Sequence, residues 1–373
     1  MSNKNVKKGK LQKIKRPGRI GFLGYVGDLQ GCGHIRVIYP YLLLNHLRDI
    51  PKIEFYTQYM SNYISDPNFY RDFTIVQFQR SATSQHLNIY KQFKSEIQKK
   101  FKVPLVYEID DMLIDIPEWN YANLYYKENE ENVKQMLGMA DGVITSTRKL
   151  KEVYGKYNNN IEVIPNHLPK FVWGDIFKAT DYYEEGNKIK ILWAGSQNHF
   201  ALKDMVKRGF HGGDFGSNLI NFIRKTTDIY EWNLMGAIPT ELESIKHKIK
   251  FTPWKNIFQY PSTIKAIEPD ICIAPLEQGL FNECKSDIKH LEYVACGATG
   301  VFSDIEPYKN CTMKAKTDEE MVSMIEKLAN DIDLRSRVFD KDHNNIRERI
   351  WWEEGGNLKK YVDTYLRMFN KTL

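Results

Sequence analysis

The residues best suited to chemistry lie between Asp270 and Val301, in DICIAPLEQGLFNECKSDIKHLEYVACGATGV. The stretch reads as a buried strand (Asp270 to Ala274), a loop, a polar helix start, an amphipathic helix and a further strand. Ile288, Leu291, Val294 and Ala295 recur at helical spacing and predict a core-facing stripe. Lys285, Lys289 and Glu292, spaced by four and three, share the other side and can converge on one point. Ser286 and Asp287 suit a helix start. Lysines at a helix N-terminus beyond the carboxyl end of a strand make a cradle for phosphate. Glu292, one turn deeper, can accept hydrogen bonds from a pair of sugar hydroxyls. A surface helix with an ordinary Lys289/Glu292 ion pair accounts for the same residues.

A second group of acids stands at Tyr107-Glu108-Ile109-Asp110-Asp111, where an apolar strand from Leu105 to Ile109 ends. Ligand sites of parallel sheets sit at the carboxyl ends of strands. Glu108, Asp110 and Asp111 could therefore act as base, charge stabiliser or metal ligands, or simply cap a helix. Two loops of small residues follow other strands. Gly24, Gly27, Gly31 and Gly33 come after the strand Ile20 to Leu23, and Gly195-Ser196-Gln197-Asn198-His199 comes after Ile189 to Ala194. Glycines let a ligand approach the backbone, and His199 could hydrogen-bond donor or acceptor. Arg36 stands where GxGxxG needs its third glycine, and Glu54 ends a possible second strand, so a dinucleotide site is a weaker alternative.

The elements that position these groups alternate. Further strands are predicted at Phe73 to Phe78, Gly142 to Thr145 and Ile161 to Ile164, with helices such as Ser84 to Phe101 and Glu130 to Met139 between them. After the first glycine loop, a helix should bury Ile38, Leu42 and Leu43. A second alternating set has strands Tyr230 to Met235, Lys248 to Phe251, Ile271 to Ala274 and Gly300 to Ser303. The pattern predicts an α/β protein of two doubly wound, Rossmann-like domains facing an interdomain cleft. The expected divisions are a basic tail (1–18), an N-terminal domain (19–170), a linker (171–188), a C-terminal domain (189–349) and a C-terminal helix packing back on the first domain (350–373). The segment His211 to Ser217, with three glycines, reads as a mobile loop.

Composition narrows the class. The chain has 373 residues, 42% hydrophobic and 27% charged, as in a soluble globular protein. Mean hydropathy is −0.51, and no apolar run approaches the roughly 18 residues of a membrane span. The five cysteines (Cys32, Cys272, Cys284, Cys296 and Cys311) form no CxxC pair, which argues against a disulfide framework or zinc site and for a cytoplasmic setting. Net charge is +6, concentrated before Asp28 in Lys4, Lys7, Lys8, Lys10, Lys13, Lys15, Arg16 and Arg19. Such a tail attracts polyanions, nucleic acid or an anionic membrane, if it is more than a solubilising extension.

Four pieces in order, GDLQGCGHIR, YEIDD, VIPNHLP with ILWAGS after it, and APLEQGLFNECKSDIKHLEYVACG, resemble the retaining glycosyltransferases of the GT-B fold and cover most of residues 20 to 303. The GCG loop and the LExxACG helix end are similar to those of the DNA α-glucosyltransferases of T-even bacteriophages. The resemblance implies a C-terminal domain that binds a nucleoside diphosphate sugar, UDP-linked, as donor, with no obligatory metal. It implies Glu292 on the ribose and Lys285, Ser286 and Gly195 as diphosphate contacts, with Lys289 and Ser196 in the same donor-binding set. Gly31 and Gly33 would close over the donor, and Asp110 would assist the acceptor hydroxyl with Asp111 and Glu108 shaping the field. Thr252-Pro253-Trp254 would lie near the nucleobase. One departure concerns the sugar: a second glutamate eight positions before the ribose glutamate is replaced by Cys284, with Glu283 beside it. The implied acceptor is hydroxymethylated pyrimidine in double-stranded DNA, and the implied setting the host cytoplasm. A glycan, lipid or protein acceptor is the alternative. A metal-dependent GT-A enzyme using Glu108 and Asp110, and a non-catalytic nucleic-acid-binding protein, are the readings from other classes.

Overall fold

A computed structural model describes residues 20–47, 53–210 and 212–370; the basic tail and His211 lie outside them. The first half builds a sheet from β1 (Ile20–Val26), β2 (Ile53–Tyr59), β3 (Ile75–Gln79), β4 (Leu105–Ile109), β5 (Gly142–Thr145) and β6 (Ile161–Val163). Its order is β2-β1-β3-β4-β5-β6. The second half builds another from β7 (Lys190–Ala194), β8 (Glu231–Gly236), β9 (Lys250–Pro253), β10 (Ile271–Ala274), β11 (Thr299–Ser303) and β12 (Lys314–Ala315), in the order β12-β11-β10-β7-β8-β9. Every pairing in both sheets is parallel. The chain is thus two doubly wound, Rossmann-like units, and a single-unit GT-A architecture is excluded. Strand order reverses between β1 and β3 and between β7 and β10, so the loops after those strands border the crevices where such sheets take ligands.

Continuous burial explains the central strands. All residues of β3, β4, β5, β10 and β11 are buried, as strands covered by helices on both faces require. The two faces of the first sheet have separate cores, one around Phe78, Tyr90 and Val133 and one around Phe22, Val37 and Leu44. The second core includes α10 (Asn357–Met368), whose Leu358, Val362 and Leu366 lie against the first sheet although the helix ends the chain. Leu168 donates its N–H to the Ile350 carbonyl at 2.7 Å and accepts from the Trp352 N–H at 2.9 Å, tying the two crossings between halves together.

Several expectations change. The helix after the first glycine loop contains a π-helical turn at His34–Ile38 before α1 (Tyr39–Leu47). A π turn inserts extra backbone and rotates the face that follows. Tyr41, Leu43 and Leu44 are therefore buried while Leu42 is 53% exposed, and Arg36 turns inward at 1% exposure. Glu54 stands near the start of β2 rather than its end, so the acid expected of a dinucleotide site is not at the carboxyl edge. The glycine-rich segment before Ser217 is pinned through Asp214, which is 5% exposed. The polar segment 174–188 lies along the second half, where the Ala179 N–H donates to the Gly297 carbonyl at 2.9 Å. Gly297 has φ +78, and a Cβ there would stand 1.7 Å from the Phe177 carbonyl oxygen.

Candidate active site

The carboxyl ends of the two sheets face each other across a cavity of about 250 Å³. Its wall brings together Gly31, Asp110, Asp111, His199, Lys285, Ser286, Lys289 and Glu292 from the sequence-derived set, with Cys32, Asn166, Trp173 and Tyr260 added. A larger cavity of about 520 Å³ lies at the opposite edge, at the amino ends of β7 and β10, and is lined by Lys190, Asp270 and Cys296. It holds none of the candidate residues, and the carboxyl-end rule favours the smaller cleft.

The second-half wall is built by the segment leading into α7 (Ile288–Ala295). Leu291, Val294 and Ala295 are buried against the sheet, which turns Lys289 and Glu292 to the cleft. Glu292 Oε2 accepts from Lys289 Nζ at 2.7 Å and from Tyr260 OH at 2.8 Å, and Lys289 Nζ also lies 3.0 Å from Tyr260 OH. Tyr260 is on α6 (Tyr260–Ile267), and burial beside Glu292 pushes its phenol well above the usual range. It therefore stays protonated and donates. Both donors take Oε2, so Oε1 has no protein donor among the described residues and remains available to a ligand hydroxyl.

On the first-half wall, Asp110 and Asp111 share Arg80. Arg80 Nη1 is 3.1 Å from Asp110 Oδ1 and Nη2 is 3.4 Å from Asp111 Oδ2. Nη1 also lies 3.0 Å from Cys32 Sγ, and Nε donates to Tyr126 OH at 3.2 Å. Arg80 follows β3 with φ +51, a left-handed conformation that non-glycine residues hold mainly where surroundings enforce it. Backbone contacts fix the acids further: Ser146 Oγ donates to the Asp110 carbonyl at 2.7 Å and Tyr154 OH to the Asp111 carbonyl at 2.8 Å. Burial alone would raise the Asp111 carboxyl, but Lys285 across the cleft and Arg80 outweigh it and hold it below the usual range. Burial, reinforced by Asp110, pushes the Cys32 thiol well up, so it stays protonated.

The remaining candidates are placed differently. Glu108 is 1% exposed and does not line the cavity; its Oε1 pairs with Arg36 Nε at 2.6 Å. Glu108 and Asp110 each have their own arginine, and no group of three His, Cys, Asp or Glu suited to a metal occurs among the described residues. Glu283 pairs with Lys149 of the first half at 2.9 Å. Gly33 and Gly195 are places of close packing: a Cβ would stand 1.8 Å from the Asp28 carbonyl oxygen at the first and 2.5 Å from the Trp193 ring at the second. Ser196 caps the short turn Gln197–His199 by accepting from the Asn198 N–H. Trp254 is 54% exposed and does not line the cavity.

Sequence reasoning missed Asp214. Its Oδ2 lies 2.7 Å from His199 Nδ1, while Oδ1 accepts from the Glu277 N–H at 2.8 Å and Asn282 Nδ2 at 2.7 Å. The carboxylate fixes His199 with Nδ1 carrying a proton, which leaves Nε2 as the ring atom for a ligand. Arg80 was also missed, although its place directly after β3 is a signal the strand-end rule supplies.

No protein-family model matches the sequence, and no curated protein matches it. Solved structures do resemble it in fold. A putative UDP-N-acetylglucosamine 2-epimerase from Listeria monocytogenes superposes with TM-score 0.54 at 11% identity, over 95% of this chain and 98% of that one. The MnaA protein of S. aureus, solved with UDP, gives TM-score 0.52 at 11% identity over the same shares. At that identity the likeness concerns architecture, and it places the chain among GT-B-like folds of two Rossmann-like units.

Proposed function

We propose that this chain is a retaining glycosyltransferase that takes a sugar from a UDP-linked donor. The observation that carries the reading is the grouping across the cleft of Lys285, Ser286, Lys289 and Glu292 on one wall with Asp110 and Asp111 on the other. Lys285, Ser286 and Lys289 suit a diphosphate, which gains charge as the glycosidic bond breaks. Glu292, braced by Lys289 and Tyr260, suits the ribose diol. Asp110 suits an incoming hydroxyl, whose proton it would take, while Arg80 holds it in place. Hydroxymethylated pyrimidine in DNA is the acceptor we favour, supported by the basic N-terminal segment and the likeness of the GCG and LExxACG pieces to phage DNA glucosyltransferases. A duplex base would have to be flipped to reach the cleft.

The test is incubation of the full chain with a panel of UDP-sugars and DNA containing 5-hydroxymethylcytosine, followed by nucleoside mass spectrometry. A sugar mass increment is expected, reduced about 10²–10⁴-fold by Asp110→Ala. Glu292→Ala should act chiefly on donor affinity. Hydrolysis of one UDP-sugar without an increment would refute the DNA acceptor and keep the donor site. The His199–Asp214 pair favours a second reading, in which an oriented imidazole moves a proton on the bound sugar itself; an isomerised UDP-sugar formed without acceptor would establish it.

A further inference from the structure

A buried chain of polar groups runs from the first sheet to the donor wall of the cleft. Glu108 Oε1 accepts from Arg36 Nε at 2.6 Å. Arg36 Nη1 donates to the Ile164 carbonyl at 2.6 Å and to Asn166 Oδ1 at 2.9 Å. Asn166 Nδ2 then donates to Ser286 Oγ at 2.8 Å. Glu108 and Arg36 are each 1% exposed and Asn166 is 5% exposed, so water competes little with these bonds.

The direction of each bond follows from chemistry. A guanidinium only donates, and it remains protonated in proteins. The Asn166 atom facing it must therefore be the amide oxygen, which removes the usual ambiguity of an asparagine side chain. The amide nitrogen then points at Ser286 and makes its oxygen an acceptor. A hydroxyl has one proton; with its oxygen receiving from Asn166, that proton is free for another partner. Both Asn166 and Ser286 line the cleft.

We propose that Arg36 and Asn166 are positioning residues that commit the Ser286 hydroxyl to donate into the cleft, onto an anionic oxygen of a bound diphosphate. The inference rests on the donor site of the proposed function and gives it a determinant outside the phosphate-binding loop. Glu108 anchors the far end by holding Arg36. Because Arg36, Asn166 and Ser286 come from three segments that meet only when the two halves are together, the serine is oriented only in that arrangement.

Asn166→Asp tests the direction. An aspartate keeps the acceptor facing Arg36 but turns the group facing Ser286 into an acceptor, which takes the serine proton away from the ligand. Binding of UDP and of uridine to the full chain is followed by ligand-observed NMR titration. Expected is a loss of about tenfold in UDP affinity with uridine affinity unchanged, and a similar loss for Ser286→Ala. In the Asn166→Ala/Ser286→Ala pair, the double variant should bind UDP no more weakly than Ser286→Ala alone. Equal losses for UDP and uridine, unchanged UDP binding, or additive losses would each overturn the proposal. If Asn166→Asp does not fold, the Asn166→Ala/Ser286→Ala pair decides the question. Wild-type protein that binds uridine but not UDP would overturn this inference and keep a nucleoside site. Wild-type protein that binds neither would sink the UDP-donor reading itself, and this inference with it.

Discussion

Glu108 has a carboxyl that burial pushes up from 4.5 to about 7, with Arg36 pulling the other way. Between those values the unfolded chain has released the proton and the folded chain still holds it. Stability therefore falls as pH rises through that window, by at most about 1.4 kcal/mol per pH unit, and levels off above it. His167 tilts in the opposite direction. Burial holds its imidazole down at about 3, so the unfolded chain takes up a proton below about 6.5 that the folded chain refuses, and stability is lost as pH falls. Urea midpoints of wild type and Glu108→Gln, measured from pH 4.5 to 8, separate the two. The variant should gain on the wild type up to about pH 7 and run parallel above it; a difference independent of pH would refute the assignment. Little of this environment was legible in the sequence. Glu108 looked like a cleft acid because it stands two residues before Asp110 at a strand end. In a strand, however, the side chain at i+2 shares a face only while the strand continues, and the chain leaves β4 after Ile109. Arg36 was visible only as a missing glycine, since the partners that explain it lie 72 and 130 positions away.

At the scale of elements, α7 and the buried strands were legible because their periods are set by local geometry: helical spacing for α7, and unbroken apolar runs for strands covered on both faces. The phase of α1 was not, because the π turn at His34–Ile38 shifts it, and a helical period cannot show where such a turn falls. The C-terminal α10 shows how far an element can act from its place in the sequence. Leu366 is 4% exposed in the core of the first sheet, and a Cβ on Gly142 of β5 would stand 2.2 Å from Met368 Sδ. Leu366→Ala should cost about 2–5 kcal/mol, as removal of a buried leucine does. Hydrogen exchange followed by mass spectrometry should show the lost protection in β1 and β5, with β7 and β10 unaffected. Loss confined to the second sheet would mean that α10 does not belong to the first.

At the scale of the whole molecule, the two halves meet on both sides of the cleft. Near the crossings, Ile35 and Tyr39 join a core shared with Leu168, Trp173 and Trp351. On the far side Phe281 and Cys284 of the second half enter the core of the first, Trp119 packs with Ala201 and Met205, and polar contacts centre on the segment before α7. Thr147 Oγ1 donates to the Cys284 carbonyl at 3.1 Å, Lys149 pairs with Glu283 at 2.9 Å, and Asn120 Nδ2 donates to the Asn198 carbonyl at 2.9 Å. Lys149 and Glu283 are about one-third exposed, so this pair adds little to global stability. Its location gives it a local consequence, because it holds the residues that lead into Lys285 and Ser286. Salt of about 1 M shortens the screening length to about 3 Å and weakens such a pair, while short buried hydrogen bonds are screened far less. Amides of residues 283–286 should therefore exchange faster in wild type at 1 M than at 50 mM salt. Lys149→Ala should exchange fast at both, and strands β4 and β10 should not respond. If Lys149→Ala changes neither the rate nor its salt dependence, the segment is held by the Thr147 and Asn166 hydrogen bonds and by the burial of Phe281 and Cys284. The wall that carries Lys285 and Ser286 would then be fixed by groups that ionic strength cannot reach.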